Sequence, residues 1–254
     1  MSKAAELAKS GDTLTNQPSG RKNIVTNGAM QVAQRSTSET GLGAAAGYFT
    51  LDRVNLQTAN SAGRLTMTQT ADGPSGFANC LKLDCTTADT SIASDEHLSL
   101  RFRLEGQDLQ QLKKGTSDAE SVTVSFYVKG DQAATYVCEL YDQDNSRHNT
   151  QAFSVTTSWN RIELTFVGDT TGAFADDNGL SLQLGIWLHG GSDFTSGTFT
   201  SNTWASATNA NRFAGSKTSF YDSTDREFFL TGVQMEIGSQ ATNFEHRSFG
   251  EELA

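Results

Sequence analysis

Proline is almost missing from this chain of 254 residues: it occurs twice, against 23 glycines. Turns must therefore be made by Gly, Asn and Asp rather than by Pro. Charge is also scarce, at 19% of residues, and hydrophobic residues reach only 36%. That excludes a helical enzyme with a thick apolar core. Ser, Thr, Asn and Gln fill the gap, which suits a twisted β structure with many polar loops. The length allows one large β domain or two small ones, with a proper core.

No apolar run approaches the ~20 residues needed to cross a bilayer, so membrane insertion is not expected. The stretch Met1 to Glu6 has no apolar segment of signal-peptide type, so no export address is expected. Basic residues are outnumbered, and the formal net charge is −10. Such a surface repels phosphate backbones, so no nucleic-acid partner is expected. Cysteine occurs three times, at Cys80, Cys85 and Cys138. The odd count and the absence of a CxxC spacing argue against a disulfide framework or a zinc site. Cys80 and Cys85 flank the alternating run Leu81 to Asp84, point to opposite faces and cannot pair. They read as free core thiols of a protein made in a reducing cytosol.

Signatures of chemistry are missing too. His97, His148, His189 and His246 show no metal-ligand spacing and no H-E-x-x-H. There is no G-x-S-x-G elbow. Gly41 to Gly47 is spaced G-x-G-x-x-x-G without a preceding apolar strand, so it reads as a flexible loop rather than a phosphate cradle. Asp142 to Ser146 resembles the start of an EF-hand loop, but Arg147 stands where Gly is required. It reads as a turn, as does Asp176 to Gly179. A structural calcium in these acidic loops is the one metal option left. Nothing places two carboxylates opposite each other. No enzymatic activity and no cofactor are expected.

What is present is a period of two. Val122, Val124, Phe126 and Val128 share one parity, with Thr123, Ser125 and Tyr127 opposite. Leu98 to Leu104, Ile162 to Phe166 and Leu180 to Leu188 alternate likewise. In Glu227 to Ile237 the phase breaks: Phe228 and Leu230 have one parity, Val233, Met235 and Ile237 the other. A β-bulge is expected there, with Gly232 supplying the unusual backbone. One short helix is expected over Gln107 to Lys114, stopped by Gly115. About ten strands without a βαβ rhythm predict an all-β fold, an antiparallel β-sandwich of jelly-roll type. Residues 2–9 read as a short helix capped by Ser2, with Ala4, Ala5, Leu7 and Ala8 as a small apolar stripe. Residues 10–22 read as a linker. The organisation expected is a docking segment over 1–22 and a β-sandwich over 23–254. Thr195 to Gly215 reads as a long surface excursion.

Aromatic placement gives the candidate site. Trp159 precedes an alternating strand and belongs to the core or its rim. Trp187 has the opposite parity to its apolar strand and should point away from the core. Trp204 and Tyr221 lie in or beside the excursion. Exposed rings can stack on sugar faces, so Trp187, Trp204 and Tyr221 form the expected carbohydrate-binding site.

Two stretches carry a resemblance. Asn23-Ile-Val-Thr-Asn-Gly-Ala-Met-Gln-Val-Ala-Gln-Arg35 is followed by Tyr48-Phe-Thr-Leu-Asp-Arg53. Phe229-Leu-Thr-Gly-Val-Gln-Met-Glu-Ile-Gly-Ser-Gln-Ala-Thr-Asn-Phe-Glu-His246 lies near the other end. Together they resemble virion structural and tail-fibre proteins of marine podoviruses, cyanophages above all. The middle is similar to jelly-roll carbohydrate-binding modules. The family pattern often has Trp after Asp52-Arg53, and here Val54 stands instead. The resemblance implies a place in the virion after synthesis in the host cytoplasm, and a homo-oligomer with a trimer favoured. It also implies contact with other virion proteins through the N-terminus; host-surface glycan is the expected partner only in the attachment role. Two roles follow: a tail-fibre or spike module for attachment, or a head fibre or decoration protein that only packs against its neighbours.

Overall fold

The computed structural model describes residues 21–215 and 217–253. The apolar stripe Ala4, Ala5, Leu7 and Ala8 lies outside the described residues.

Among the described residues twelve strands follow one another: β1 (Ser38–Leu42), β2 (Asn55–Ala59), β3 (Arg64–Thr70), β4 (Cys80–Thr87), β5 (His97–Glu105), β6 (Val122–Gly130), β7 (Ala134–Asp142), β8 (Arg147–Val155), β9 (Asn160–Phe166), β10 (Leu180–Gly190), β11 (Ala205–Ser206) and β12 (Glu227–Ile237). They form two six-stranded sheets, β1-β3-β4-β12-β6-β9 and β11-β8-β7-β10-β5-β2. Every strand pair is antiparallel. The architecture is the expected jelly-roll sandwich. Alternation fixes which face is buried. Leu83, Val124, Phe126, Phe228 and Met235 of the first sheet face Leu100, Phe102, Cys138, Leu184 and Ile186 of the second in one core. Each such side chain contributes roughly 1.5–3 kcal/mol on burial. The three cysteines are free and buried.

The bulge stands where the phase of β12 breaks. Its register against β6 shifts between Thr231 and Gln234, and Gly232 has φ +63°. The expected helix differs in kind: Gly106–Leu112 is a 3-10 helix. Leu109 and Leu112, three apart, both face the core. That spacing matches three residues per turn, and Lys113 at φ 49° ends the run before Gly115.

Two loops are more ordered than their sequences suggest. The expected flexible loop ends in Gly47, which exchanges both backbone hydrogen bonds with Leu56 of β2 (2.9 Å each) and so fixes the next residue, Tyr48, at the sheet edge. The expected surface excursion lies down on the outer face of the second sheet. It runs on from helix α1 (Ser192–Thr195) and contains strand β11, which pairs with β8. Phe194, Phe213 and Ala214 bury their apolar atoms there.

The two end motifs meet. The Asn23 side chain donates to Val233 O (3.1 Å) and accepts from Met235 N (3.0 Å), while Ile24 N bonds Met235 O at 2.9 Å. Lys22 N and Asn23 N both bond the Glu245 carboxylate. Arg247 donates to the Asn23 carbonyl, and Asn27 N bonds Glu252 of helix α2 (Phe249–Leu253). The segments around Asn23 and Arg247 are thus clasped at one corner of the sandwich.

Candidate functional site

The three rings expected to hold sugar do not come together. Trp187 points away from the main core, as its parity requires, yet it is 0% exposed. The excursion covers it: Phe213 stacks on the indole (centroids 6.2 Å apart) and Phe194 packs at 5.4 Å. Tyr221 is also 0% exposed and packs against His189 at 5.3 Å. Trp204 is half-buried; its Nε1 donates to Val167 O at 2.7 Å, and its ring walls a cavity of about 20 Å³ shared with Phe174 and Lys114. That volume holds about one water. A ring must be open on one face to stack on a sugar, so Trp187 and Tyr221 are excluded and the expected site is corrected.

The excursion is held by a buried network. Glu139, on the outer parity of β7, accepts Arg212 Nε at 2.8 Å and Nη2 at 2.7 Å. It also accepts Trp187 Nε1 at 2.7 Å, and His148 Nδ1 lies 3.2 Å away. Burial alone would raise the Glu139 pKa, but Arg212 and His148 outweigh it and hold the carboxyl near 2. The Arg212 guanidinium covers the rings of Tyr141 (4.5 Å) and Trp187 (4.7 Å).

Beyond this network the outer face of the second sheet carries two arginines, Arg101 half-buried and Arg103 exposed. On β5, Ser99, Arg101 and Arg103 share the outer parity; in register, Arg103 stands opposite Gln183 and Arg101 opposite Gly185. Arg101 Nε donates to Ser99 Oγ (3.1 Å) and its Nη1 to Gln183 Oε1 (3.2 Å). Gln183 in turn donates to Gln143 Oε1 at 2.9 Å. Across the edge strand, Asn55 of β2 pairs with Arg101; its side chain is 3% exposed and its Oδ1 has no hydrogen-bond partner. Burial, and the nearby Arg212 charge, lower the Arg101 pKa to about 10.

At the margin Tyr48 is half-buried, with Arg35 5.6 Å and Arg103 6.0 Å from its ring centroid. Arg53 is exposed and has φ +67°. A non-glycine residue there costs on the order of 1 kcal/mol, so a cation stands where the backbone favours Gly or Asn. Arg53 joins two open clefts. One, of about 280 Å³, is lined by Arg35, Tyr48, Asp52 and Arg53; the other, of about 160 Å³, by Arg21, Arg53, Arg103, Glu105 and Asp108. Both fall below the ~300–1,000 Å³ of a pocket that engulfs a small molecule. They form an open, polar strip suited to the side of a long ligand. We take this strip, Arg53, Tyr48, Arg103, Arg101 and Gln183, as the candidate site. Its signals were in the sequence: Arg101 and Arg103 hold the polar parity of an alternating strand, and Arg35, Tyr48 and Arg53 lie in the resemblance motifs.

Two other polar clusters serve the fold. Ser219 Oγ lies 2.8 Å from His189 Nδ1, and His189 Nε2 lies 3.2 Å from Glu96 Oε2. These are the groups of a hydrolytic triad, but the imidazole is 0% exposed and Ser219 Oγ already accepts the Tyr221 N–H at 3.1 Å. The chain of bonds ties the 217–221 segment to β10. At the opposite end, Lys114 Nζ sits among Asp142 (2.6 Å), Asp169 (3.1 Å), Thr171 O (2.8 Å) and Gly172 O (2.6 Å). Asp142 opens the loop that resembles an EF-hand, and its carboxylate faces this ammonium.

No protein-family model matches the chain, and no curated protein matches it. Solved structures are similar in layout. A structure described as "CBM4 structure and function" aligns with TM-score 0.41 and 11% identity over 84% of this chain and 99% of that one. The CBM22-1 xylan-binding domain of Xyn10C from Paenibacillus barcinonensis aligns with TM-score 0.39 and 13% identity over 88% and 100%. The enzymatically active domain of tailspike protein 4 from bacteriophage CBA120 aligns with TM-score 0.39 and 10% identity; 85% of this chain matches 21% of that one.

Proposed function

We propose that the chain is an attachment module of a phage particle, a tail-fibre or spike component that holds host-surface glycan on the open strip of its second sheet. The observation that carries the reading is the strip itself. Arg53 and Arg103 are exposed and Tyr48 and Arg101 half-buried, with the buried Gln183 holding Arg101 from beneath; they lie along the edge of a rigid sheet, flanked by clefts too shallow to enclose a small molecule. Guanidinium, amide and phenol groups match the hydroxyl edges of sugars, and binding at one such strip is weak until copies act together. A homo-oligomer, with a trimer favoured, supplies those copies. The module binds without transforming its ligand and needs no cofactor. The place in the virion rests on the two end motifs, which form the corner clasp and part of the strip.

The test has two arms. Antibody labelling of the particle should place the protein on the tail; labelling on the head favours the decoration role. Affinity electrophoresis of the purified chain in host polysaccharide should show retardation that Tyr48→Ala reduces. Equal mobility of both proteins with and without polysaccharide would remove the glycan reading.

The decoration reading has its own observation. Phe249 and Leu253 of α2 are 55% and 42% exposed, as are Ile92 and Val167 at 43% and 46%. Large apolar side chains left in water favour a covering neighbour.

A further inference from the structure

The chain as a whole is acidic, yet one edge is the reverse. Seven lysines and arginines make no salt bridge among the described residues: Arg21, Lys22, Arg53, Arg64, Arg101, Arg103 and Lys217. Four of them, Arg21, Arg53, Arg101 and Arg103, gather along the β2–β5 edge of the second sheet. Arg35 stands beside them across Tyr48, balanced by Asp52 at 3.3 Å. Most other cations of the molecule are neutralised internally.

Two features show that this charge is under-compensated. Arg101 directs two donor groups to neutral acceptors, Ser99 and Gln183, and none to a carboxylate. Burial and the Arg212 and Arg103 charges disfavour its cationic form, and the nearby Glu139 offsets them only in part. An anion placed over Arg101 and Arg103 would relieve that repulsion, and planar guanidinium forks bind oxyanions with two hydrogen bonds. Asn55, buried beside Arg101, is neutral and brings no charge to balance it.

The acidic side chains in the strip narrow the ligand further. Glu105 and Asp108 line the same cleft as Arg21, Arg53 and Arg103. A polyphosphate with contiguous charge would set phosphates against these carboxylates. A polymer with hydroxyl-rich spacing between single charges fits cations separated by neutral and acidic groups.

We infer that the strip selects an acidic polysaccharide, its carboxylate or sulfate group seated over Arg101 and Arg103 and a neighbouring sugar against Tyr48 and Arg53. The inference rests on the glycan-binding reading above and names its ligand class.

The experiment compares the full chain on immobilised polygalacturonate, dextran sulfate and neutral dextran by biolayer interferometry. Binding to one or both acidic polymers, with none to dextran, is expected; the polymer that binds tells carboxylate from sulfate. Arg103→Gln and Arg53→Gly should each weaken it by about three- to tenfold. Arg53→Gly also relieves the positive φ, so its melting temperature should hold or rise, which separates lost binding from lost folding. Raising NaCl from 0.1 to 0.5 M should weaken binding of the wild type more than of a variant carrying both Arg103→Gln and Arg53→Gly. Tyr48-dependent binding to neutral dextran as strong as to the acidic polymers, and insensitive to both arginine variants, overturns the acidic selectivity and leaves the glycan reading standing. Absence of binding to all three overturns both. Equal binding to poly-glutamate would reduce the strip to a general anion surface and overturn the choice of a sugar polymer.

Discussion

Arg212 and Glu139 face each other through two hydrogen bonds of 2.8 and 2.7 Å, one residue on the segment that crosses the second sheet, the other on the sheet beneath it. The pair is the bolt of that cover, because the Trp187 indole shares the same carboxylate. Arg212→Met should leave a buried, uncompensated carboxylate and destabilise the protein by about 3–5 kcal/mol. Trp187 would lose its cover, so its fluorescence should shift to the red and become open to acrylamide quenching. Double substitution of Arg212→Met with Glu139→Gln should recover part of the stability, as measured by urea denaturation.

Acid should unfold the protein in two stages. Burial, then the nearby Arg101 charge, lower the His97 pKa from 6.5 to about 4. The unfolded chain therefore takes up that proton first, and stability falls as pH drops from 6.5 towards 4. Glu139, held near 2 instead of 4.5, contributes stability that is complete above pH 4.5 and lost as pH falls towards 2. Both groups act with the same sign, for a total on the order of a few kcal/mol. Melting temperatures across pH 3–8 should be flat at the top of the range and decline below 6.5. His97→Phe should shrink the first stage only, leaving the part that His189, also lowered by burial, contributes.

Lys114 should behave as a tethered cation. Its side chain is 4% exposed, and those of Asp142 and Asp169 are 0% and 3% exposed. Lys114→Met should cost about 3–5 kcal/mol by leaving the buried Asp142 without a cation, while Asp169 keeps Arg147. Lys114→Gly opens the space instead, bordered by two carboxylates and two carbonyls, an oxygen set that calcium accepts with waters completing its shell. The glycine variant should therefore gain melting temperature with added CaCl₂ and lose it with chelator. The wild type should respond to neither.

Gly232 should tolerate no side chain. A Cβ there would lie 2.8 Å from Phe77 Cζ and 2.9 Å from Tyr127 Cδ2, at φ +63°. Gly232→Ala should destabilise by about 1–3 kcal/mol. The near-ultraviolet circular dichroism of the Phe77–Tyr127 pair should change with it.

The strands were legible because each buries one face, which writes a period of two into the chain. The bulge was legible for the same reason: Leu230 and Val233 cannot share a face without an inserted residue. The kind of helix over Gly106–Leu112 was not, because leucines three apart suit either helix in so short a run. The aromatic site misled because parity says which way Trp187 points and not what lies upon it. Its cover depends on Phe194, Phe213 and Arg212, which approach from a polar, aperiodic stretch. Arg101 and Arg103 were visible as polar-parity residues of β5. That neither forms a salt bridge is a property of the whole fold, since it depends on where all the acids went.

The corner clasp between the Asn23 and Arg247 segments has a mechanical consequence. A force drawing these two segments apart would act on the bonds of Glu245, Arg247 and Glu252 one after another, as a zip opens from its end. The strand ladders of the sandwich would not be sheared in parallel. Strain transmitted through both ends of the domain would be spent at that corner, leaving the core and the basic strip in their resting geometry.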